Sequence, residues 1–359
     1  MILPPSGNAG SAPSSRVFKN VLLLLMATLL AGCGIFDSGS DATPQGVDAR
    51  ALHPVLINGK WGFIGGDGSV RIPPQYDEAR FPSGGMVAVR SGTRWGFLPE
   101  ADAGSSITVQ FAQAGDFYED RAAVRPEVTA GYGYIDPSGN MVIQPEYDAA
   151  GMFSEGRAAV LSDGLWGYVN ATGEVVLSLQ YSQAGRFSSG LAAVETAEGW
   201  QYVGLDGETI IQPGFRLAFA GPFADGLAPV QTTEGWGYID ENGVLTIPVR
   251  FEEAFAFSQG LARFRSGSYY GFINTSGEVV IQPQFDEARD FSEGMAAVRI
   301  GSAWFYIRSV DGRLAFLPPD GASGAGDFRS GLARVRIGGE DPYFGYLNAT
   351  GTYVWFPSK

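Results

Sequence analysis

The stretch Tyr270-Gly-Phe-Ile-Asn-Thr-Ser-Gly-Glu-Val-Val-Ile-Gln-Pro-Gln-Phe-Asp-Glu-Ala-Arg-Asp-Phe-Ser-Glu-Gly-Met-Ala-Ala-Val-Arg299 recurs in altered form along most of the chain. Its copies open on an aromatic residue, at Trp61, Trp95, Tyr132, Trp166, Trp200, Trp236, Tyr270, Trp304 and Phe344. Successive openings lie 34 to 40 residues apart, most often 34. A fixed period of this length indicates one supersecondary unit copied in tandem, each copy burying its apolar face against its neighbours.

Each copy contains four short extended pieces. In the quoted copy they are Tyr270 to Ile273, Glu278 to Gln282, Phe285 to Phe291 and Met295 to Arg299. Clusters of Gly, Pro, Asn and Asp separate runs of β-branched and aromatic residues, a pattern typical of strands. We expect Pro283 to end the second piece, because proline cannot donate to a strand ladder. No stretch after the amino-terminal segment shows a capped 3.6-residue apolar period, so the sequence predicts an all-β protein.

The aromatic residue that opens a copy is usually followed by glycine. The pairs are Trp61-Gly62, Trp95-Gly96, Tyr132-Gly133, Trp166-Gly167, Trp236-Gly237, Tyr270-Gly271 and Phe344-Gly345. We interpret the pair as a core signature in which a ring packs over the bare backbone of an adjoining strand; a ligand platform of exposed rings is the alternative. Gln201 follows Trp200 and Phe305 follows Trp304, so these two units are predicted to be locally distorted.

The repeated signatures resemble a known family. Trp-Gly-Tyr-Ile-Asp, Val-Ile-Gln-Pro-x-Tyr-Asp and Phe-Ser-Glu-Gly-Leu-Ala-Ala-Val are similar to the WG-containing repeat, also called the KWG repeat, of bacterial proteins. The resemblance covers roughly residues 51 to 356. It implies a β-structured interaction module and provides no catalytic residue to transfer.

The repeat domain is expected to span residues 51–359 as about nine units, the last one incomplete. Ala51 to Ile57 aligns with the strand that precedes each Trp-Gly pair, and Phe344 to Phe356 supplies only two further strands. Four short strands per unit are typical of a propeller blade, but 34 residues is short for a blade and nine exceeds the usual four to eight. We therefore expect a curved open array of stacked β-repeats, with a closed propeller-like ring of eight or nine short blades as the alternative.

Residues 1–32 have the features of a lipoprotein signal peptide. Arg16 and Lys19 supply positive charge, Val21 to Leu30 form an apolar run, and Leu30-Ala-Gly-Cys33 follows. The run is too short to span a bilayer but fits the apolar region of a signal peptide. The tetrapeptide resembles a bacterial lipobox, which implies cleavage before Cys33 and its modification by acyl chains such as palmitate. Two or three acyl chains are enough for stable membrane anchoring.

Residues 33–50 are rich in Gly, Ser, Asp and Pro, so they are predicted to form a lipidated flexible tether. Gly34 follows the lipidated cysteine in place of the Asp that retains enterobacterial lipoproteins in the inner membrane. The expected location is the bacterial cell envelope, with the outer membrane preferred for a Gram-negative host.

Composition argues against several kinds of partner and against catalysis. The chain carries 24 Lys plus Arg against 38 Asp plus Glu, a formal net charge of −14, which disfavours binding to nucleic acid. The acidic turns offer one carboxylate or amide each, too few for a calcium site, so no metal and no cofactor are expected. His53 is the only histidine and Cys33 the only cysteine. Carboxylates such as Asp77, Asp148 and Asp286 are copies of one repeat position, whereas an active site is normally singular, so the protein is not expected to be an enzyme.

Two functional hypotheses remain. The first is a lipid-anchored binding or scaffold protein of the cell envelope that uses the surface of the repeats for protein interaction. The alternative is a glycan- or cell-wall-binding module. Exposed tryptophans among the repeat openings favour the alternative, and buried tryptophans disfavour it.

Overall fold

The computed structural model describes residues 46–101, 107–319, 322–339 and 343–356, without the side chains of residues 107–109. Within these ranges the chain forms 35 strands and no helix, which confirms the all-β prediction. The strands pair in nine antiparallel sheets, eight with four strands and one with three. We number the sheets as blades one to nine in chain order. The signal peptide, Cys33 and the tether up to residue 45 lie outside the described residues.

The strands follow one another as meanders, each pairing with its neighbours in sequence. Blade one holds β1 (His53–Ile57), β2 (Lys60–Ile64) and β3 (Val70–Tyr76). Blade two holds β4 (Glu78–Ala79), β5 (Met86–Ser91), β6 (Arg94–Pro99) and β7 (Ile107–Phe111). Blade three holds β8 (Gln113–Ala114), β9 (Ala122–Arg125), β10 (Tyr132–Ile135) and β11 (Met141–Tyr147). Blade four holds β12 (Ala149–Ala150), β13 (Arg157–Ser162), β14 (Leu165–Asn170) and β15 (Val175–Tyr181). Blade five holds β16 (Gln183–Ala184), β17 (Leu191–Thr196), β18 (Gly199–Gly204) and β19 (Thr209–Ile211).

The remaining blades repeat this order. Blade six holds β20 (Phe219–Ala220), β21 (Leu227–Thr232), β22 (Gly235–Asp240) and β23 (Leu245–Phe251). Blade seven holds β24 (Glu253–Ala254), β25 (Leu261–Ser266), β26 (Tyr269–Asn274) and β27 (Val279–Phe285). Blade eight holds β28 (Glu287–Ala288), β29 (Met295–Ile300), β30 (Ala303–Arg308) and β31 (Leu314–Phe316). Blade nine holds β32 (Ala322–Arg329), β33 (Leu332–Ile337), β34 (Tyr343–Asn348) and β35 (Tyr353–Trp355).

The glycine of each Trp-Gly pair lies beneath a bulge in the fourth strand. In blade four Trp166 pairs with Tyr181 and Tyr168 pairs with Leu177, so the fourth strand advances four residues where the third advances two. A Cβ on Gly167 would lie 2.6 Å from the carbonyl oxygen of Leu177, which leaves no room for a side chain. The bulge also accommodates proline, because bulged residues are left out of the ladder. The prediction that Pro283 ends its strand is therefore wrong: β27 runs through it to Phe285.

The fully buried layer between blades is formed by the aromatic residue two positions after the repeat opening. Tyr168 has no exposed surface, packs against Phe187 with ring centroids 4.9 Å apart, and donates its hydroxyl to the carbonyl of Gly185 in the next blade at 2.7 Å. Tyr134 and Tyr202 make the same bond to the blade that follows each of them. Burial raises the pKa of these hydroxyls far above its usual value, so they remain donors throughout the physiological range.

The nine blades close into a ring. The glycine between third and fourth strands packs on the fourth strand of the preceding blade, as Gly173 does on Ile143, and Gly68 of blade one packs in the same way on Val354 of blade nine. The hydroxyl of Tyr346 in blade nine donates to the carbonyl of Pro54 in blade one at 2.7 Å. The expected open array is therefore wrong, and the alternative, a closed ring of nine blades, is correct. A two-residue first strand explains how 34 residues suffice for a blade.

The contact between blades nine and one, which we call the seam, involves no shared strand among the described residues. Blade one lacks the first strand that the other blades have. Val55 and Leu332 belong to one buried apolar cluster there, and the backbone N–H of Asp48 donates to Ser330 at 3.2 Å. His53 is buried against Tyr346 at the seam, and desolvation lowers its pKa to about 4, so the imidazole is neutral at pH 7.

Candidate binding site at blade five

The carboxylates that recur at the end of the fourth strand hold the hairpin between the second and third strands. Asp77 accepts the backbone N–H of Gly92 at 2.7 Å, and Asp148 accepts that of Asp163 at 3.1 Å. The hydrogen bond from Lys60 and, to a smaller extent, the bond from Gly92 lower the pKa of the Asp77 carboxyl. These acidic residues therefore have structural partners in the hairpin of the blade that follows.

A second set of polar side chains connects the tight turns between first and second strands. Glu119 of blade three accepts the backbone N–H groups of Glu155 and Gly156 in blade four, at 2.7 and 2.8 Å. Glu155 in turn accepts the N–H of Gly190 in blade five at 2.8 Å. Equivalent bonds join blades six to seven, seven to eight and eight to nine. These polar residues thus contribute to packing between blades.

The residues of the Trp-Gly signature divide into buried glycines and partly covered rings. The glycines are buried, at Gly62, Gly96, Gly133, Gly167, Gly237 and Gly271. Six of the opening rings are half-buried: Trp61, Trp95, Tyr132, Trp166, Trp236 and Tyr270. Only Trp200 and Trp304 are buried, at 8% and 9% exposure. Both belong to the two units in which the glycine is replaced.

The predicted distortion of these two units is confirmed. The fourth strands of blades five and eight have three residues each, whereas that of blade four has seven. Without glycine the bulge cannot lie over the third strand, so the chain leaves the sheet early. In blade eight the ring of Phe305 is itself 5% exposed and fills the space. Gln201 in blade five is only half-buried and leaves an opening.

Because the fourth strand of blade five ends early, a different side chain enters the core there. The aromatic residue that ends a regular fourth strand is buried, as Tyr181 is at 3% exposure. The corresponding Phe215 is 37% exposed. Leu217 enters the core cluster beside Trp200 and Tyr202 instead.

A cavity of about 720 Å³ lies beside the uncovered strand. One wall is the hairpin from Glu195 to Gly199, the other is the segment from Gln212 to Leu217, and Trp200 and Gln201 also line it. We call it the blade-five cavity. A smaller cavity of about 190 Å³ is also lined by Trp200 and continues toward Phe219 of blade six. The volume of the blade-five cavity is within the range of ligand pockets.

Several polar groups of the blade-five cavity have no partner among the described residues. The indole Nε1 of Trp200 is buried without a hydrogen-bond acceptor. The side chains of Gln201, Gln212 and Arg216 make no hydrogen bond to other described residues, unlike Glu195, which accepts from Ser182 and Gln183. The cavity therefore presents mainly unused donors beside exposed apolar surface.

Three aromatic rings continue from the cavity across the boundary between blades five and six. Phe219 lies between Trp200 and Trp236, with ring centroids 5.7 and 5.5 Å away. The ring planes are inclined to each other by 57° and 52°, so the rings do not form one flat platform.

The sequence profile of the WG containing repeat matches six tandem segments that together cover more than half of the chain. They are residues 61–95, 132–166, 166–200, 202–234, 236–270 and 270–304. The chain belongs to the WG containing repeat family. A matched WG repeat such as residues 132–166 runs from the third strand of one blade to the third strand of the next, so the repeat in sequence is offset from the blade in space.

Solved structures are similar to this WG-repeat chain at low sequence identity. "Crystal structure of the eukaryotic initiation factor" matches with a TM-score of 0.62 and 11% identity, over 84% of this chain and 94% of that one. The computationally designed Ika8 protein matches at 0.49 with 11% identity, over 75% and 95%. BamB from Moraxella catarrhalis matches at 0.44 with 12% identity, over 67% and 86%. No curated protein matches the sequence.

The blade-five cavity was not predicted from the sequence, although two signals for it were present. Gln201 replaces the WG glycine, and the spacing from Trp200 to Trp236 is 36 residues instead of 34. The combination of a lost glycine and two added residues in one repeat marks the place where the fourth strand leaves the sheet.

Within the described ranges, no group of three or more His, Cys, Asp or Glu residues is placed to hold a metal ion. In the same ranges, no helix is long and apolar enough to cross a membrane.

Proposed function

We propose that this WG-repeat chain is a lipid-anchored scaffold of the bacterial cell envelope that binds partner proteins through the surface of its ring and performs no chemistry. The observation that carries the proposal is the contrast between blade five and its neighbours. The repeated carboxylates hold hairpins and neighbouring blades, whereas one blade leaves a cavity with unused donors and the exposed ring of Phe215.

The proposed anchor rests on the sequence Leu30-Ala-Gly-Cys33 after a short apolar run. Expression of the full chain in a Gram-negative host, followed by membrane fractionation and mass spectrometry of the mature protein, tests it. The expected result is an acylated Cys33 at the new amino terminus. A mature protein that begins at another residue, or a soluble protein with an unmodified Cys33, would contradict it. Cys33→Ser is the matched control and is expected to abolish acylation.

The proposed protein interaction is tested by affinity capture with the lipidated full chain, followed by chemical cross-linking and identification of the cross-linked residues. We expect cross-links from a partner protein to concentrate near the blade-five cavity. Cross-links spread evenly over all blades would argue against a single site. A turnover assay on envelope substrates that one point mutation abolishes would overturn the non-enzymatic part.

Glycan binding is less well supported as a second function. No tryptophan in the described residues is exposed, and the rings around Phe219 are tilted with respect to one another. Stacking on a sugar needs an accessible flat ring face, so the exposed-tryptophan criterion for this alternative is not met.

A further inference from the structure

Blade five leaves part of its third strand without a neighbour on one side. In blade four Trp166 pairs with Leu161 of the second strand and with Tyr181 of the fourth. In blade five the fourth strand pairs only with Tyr202 and Val203. Gly199 to Gln201 therefore pairs with β17 alone. We call these three residues the open edge.

The local sequence prevents the chain from covering the open edge as it does in regular blades. At Gly167, Gly237 and Gly271 a Cβ would lie 2.6 to 2.7 Å from a backbone oxygen of the fourth strand. Gln201 carries a Cβ and a long side chain at this position, so the bulged arrangement is excluded there. The open edge thus follows from the covalent structure of blade five.

Blade eight has the same replacement but a buried side chain in its place. Phe305 is 5% exposed, whereas Gln201 is polar and half-buried. An apolar residue at this position can therefore enter the protein interior, while Gln201 stays at the surface of the blade-five cavity.

We propose that the open edge binds an extended segment of a partner protein, which adds to β18 as a short strand and places an apolar side chain in the blade-five cavity. A strand edge offers N–H and C=O groups at a spacing that the backbone of another peptide matches, and such strand addition is a recurrent mode of recognition. Phe215 supplies exposed apolar surface for the side chain. The side-chain amides of Gln201 and Gln212 line the cavity and can donate to backbone carbonyls of such a segment.

The charge around the cavity also limits the partner. Glu195 and Glu198 lie on one wall and Arg216 on the other, so the lining is slightly acidic and a strongly acidic segment is disfavoured. The inference rests on the proposed scaffold function, for which it names the recognition mode. An anchored protein with a different docking surface would leave the anchor intact while the inference fails.

The test uses a phage-displayed library of random short peptides selected on the full mature chain. Selected peptides are expected to share an apolar residue and to protect from exchange the amide hydrogen of Trp200, which faces the open edge because Gly199 and Gln201 direct theirs to β17. Methylation of alternate backbone nitrogens in the peptide should weaken binding about tenfold or more, because it removes ladder hydrogen bonds. Selected peptides that protect other strands, or that tolerate methylation at every position, would overturn the proposal.

Gln201→Phe introduces the residue found at the equivalent position of blade eight, adds an apolar ring beside the open edge, and is expected to weaken peptide binding at least about tenfold. Gln282→Phe makes the same substitution at an exposed position of blade seven and should leave binding unchanged. Phe215→Ser provides a second variant at a half-exposed side chain, so loss of binding can be separated from misfolding by circular dichroism. The site would be refuted if Gln201→Phe and Phe215→Ser bound the peptide as well as the control Gln282→Phe does. Failure to select any peptide, together with binding of an oligosaccharide that is sensitive to Gln201→Phe, would replace it with a glycan site.

Discussion

Gly271→Ala tests the claim that the glycine of the WG pair is required by the bulge of the fourth strand. A Cβ at this position would lie 2.6 Å from the carbonyl oxygen of Ile281, 2.8 Å from the nitrogen of Pro283 and 3.0 Å from the carbonyl carbon of Gln282. All three are backbone atoms of a paired strand, so no flexible side chain can move aside. Overpacking of a well-packed region costs about 1–3 kcal/mol, and we expect a value near the upper end, about 3 kcal/mol.

Urea unfolding of the repeat domain, followed by tryptophan fluorescence, measures this loss. With an m-value of about 3 kcal/mol per molar urea, the midpoint should fall by about 1 M. Gly339→Ala is the control, because a Cβ there would meet no atom within 4 Å, and its effect should stay within about 0.5 kcal/mol. A loss of less than about 1 kcal/mol for Gly271→Ala would refute the steric argument.

Three further predictions concern the contacts between blades. Tyr202→Phe removes the hydroxyl that donates to the Gly221 carbonyl at 2.8 Å and should cost about 1–2 kcal/mol of unfolding free energy, measured in urea; no loss would mean that water replaces the bond. His53 has a folded-state pKa of about 4 against 6.5 when unfolded, so its contribution of about 3 kcal/mol is complete above pH 6.5 and is lost as the pH falls toward 4. Urea midpoints at pH 7.5 and pH 5 should differ more for the native chain than for His53→Phe, and an equal difference would contradict the assignment. A chain that ends at Gly301 loses the Tyr346 bond across the seam and should melt well below the full ring, whereas an unchanged melting temperature would show that the seam contributes nothing.

The repeated features of the fold were accessible from the sequence. The spacing of aromatic residues gave the unit, and the Gly, Asn and Asp clusters gave its turns, because both depend on residues close together in the chain. The replacement of glycine by Gln201 correctly indicated distortion, since the steric requirement acts within one blade. In these respects local sequence and local structure are directly connected.

Ring closure and the blade-five cavity could not be predicted from the sequence in the same way. Closure depends on contacts such as that of Gly68 with Val354, which lie at opposite ends of the domain and follow from the summed rotation of all blades. The cavity forms where Leu217, and not Phe215, is buried in the core. Both residues are apolar and two positions apart, so their pattern does not show which of them becomes buried.

The way in which the ring closes has a mechanical consequence. Each sheet is built from one continuous stretch of chain, and the seam is held by side-chain packing and isolated hydrogen bonds such as that from Tyr346 to Pro54. A force that pulls the two ends of the domain apart loads these contacts first, before any strand ladder carries tension. The ring should therefore open at the seam at low force into a row of nine blades that still pack against their neighbours, and the blades would then unravel at a higher force.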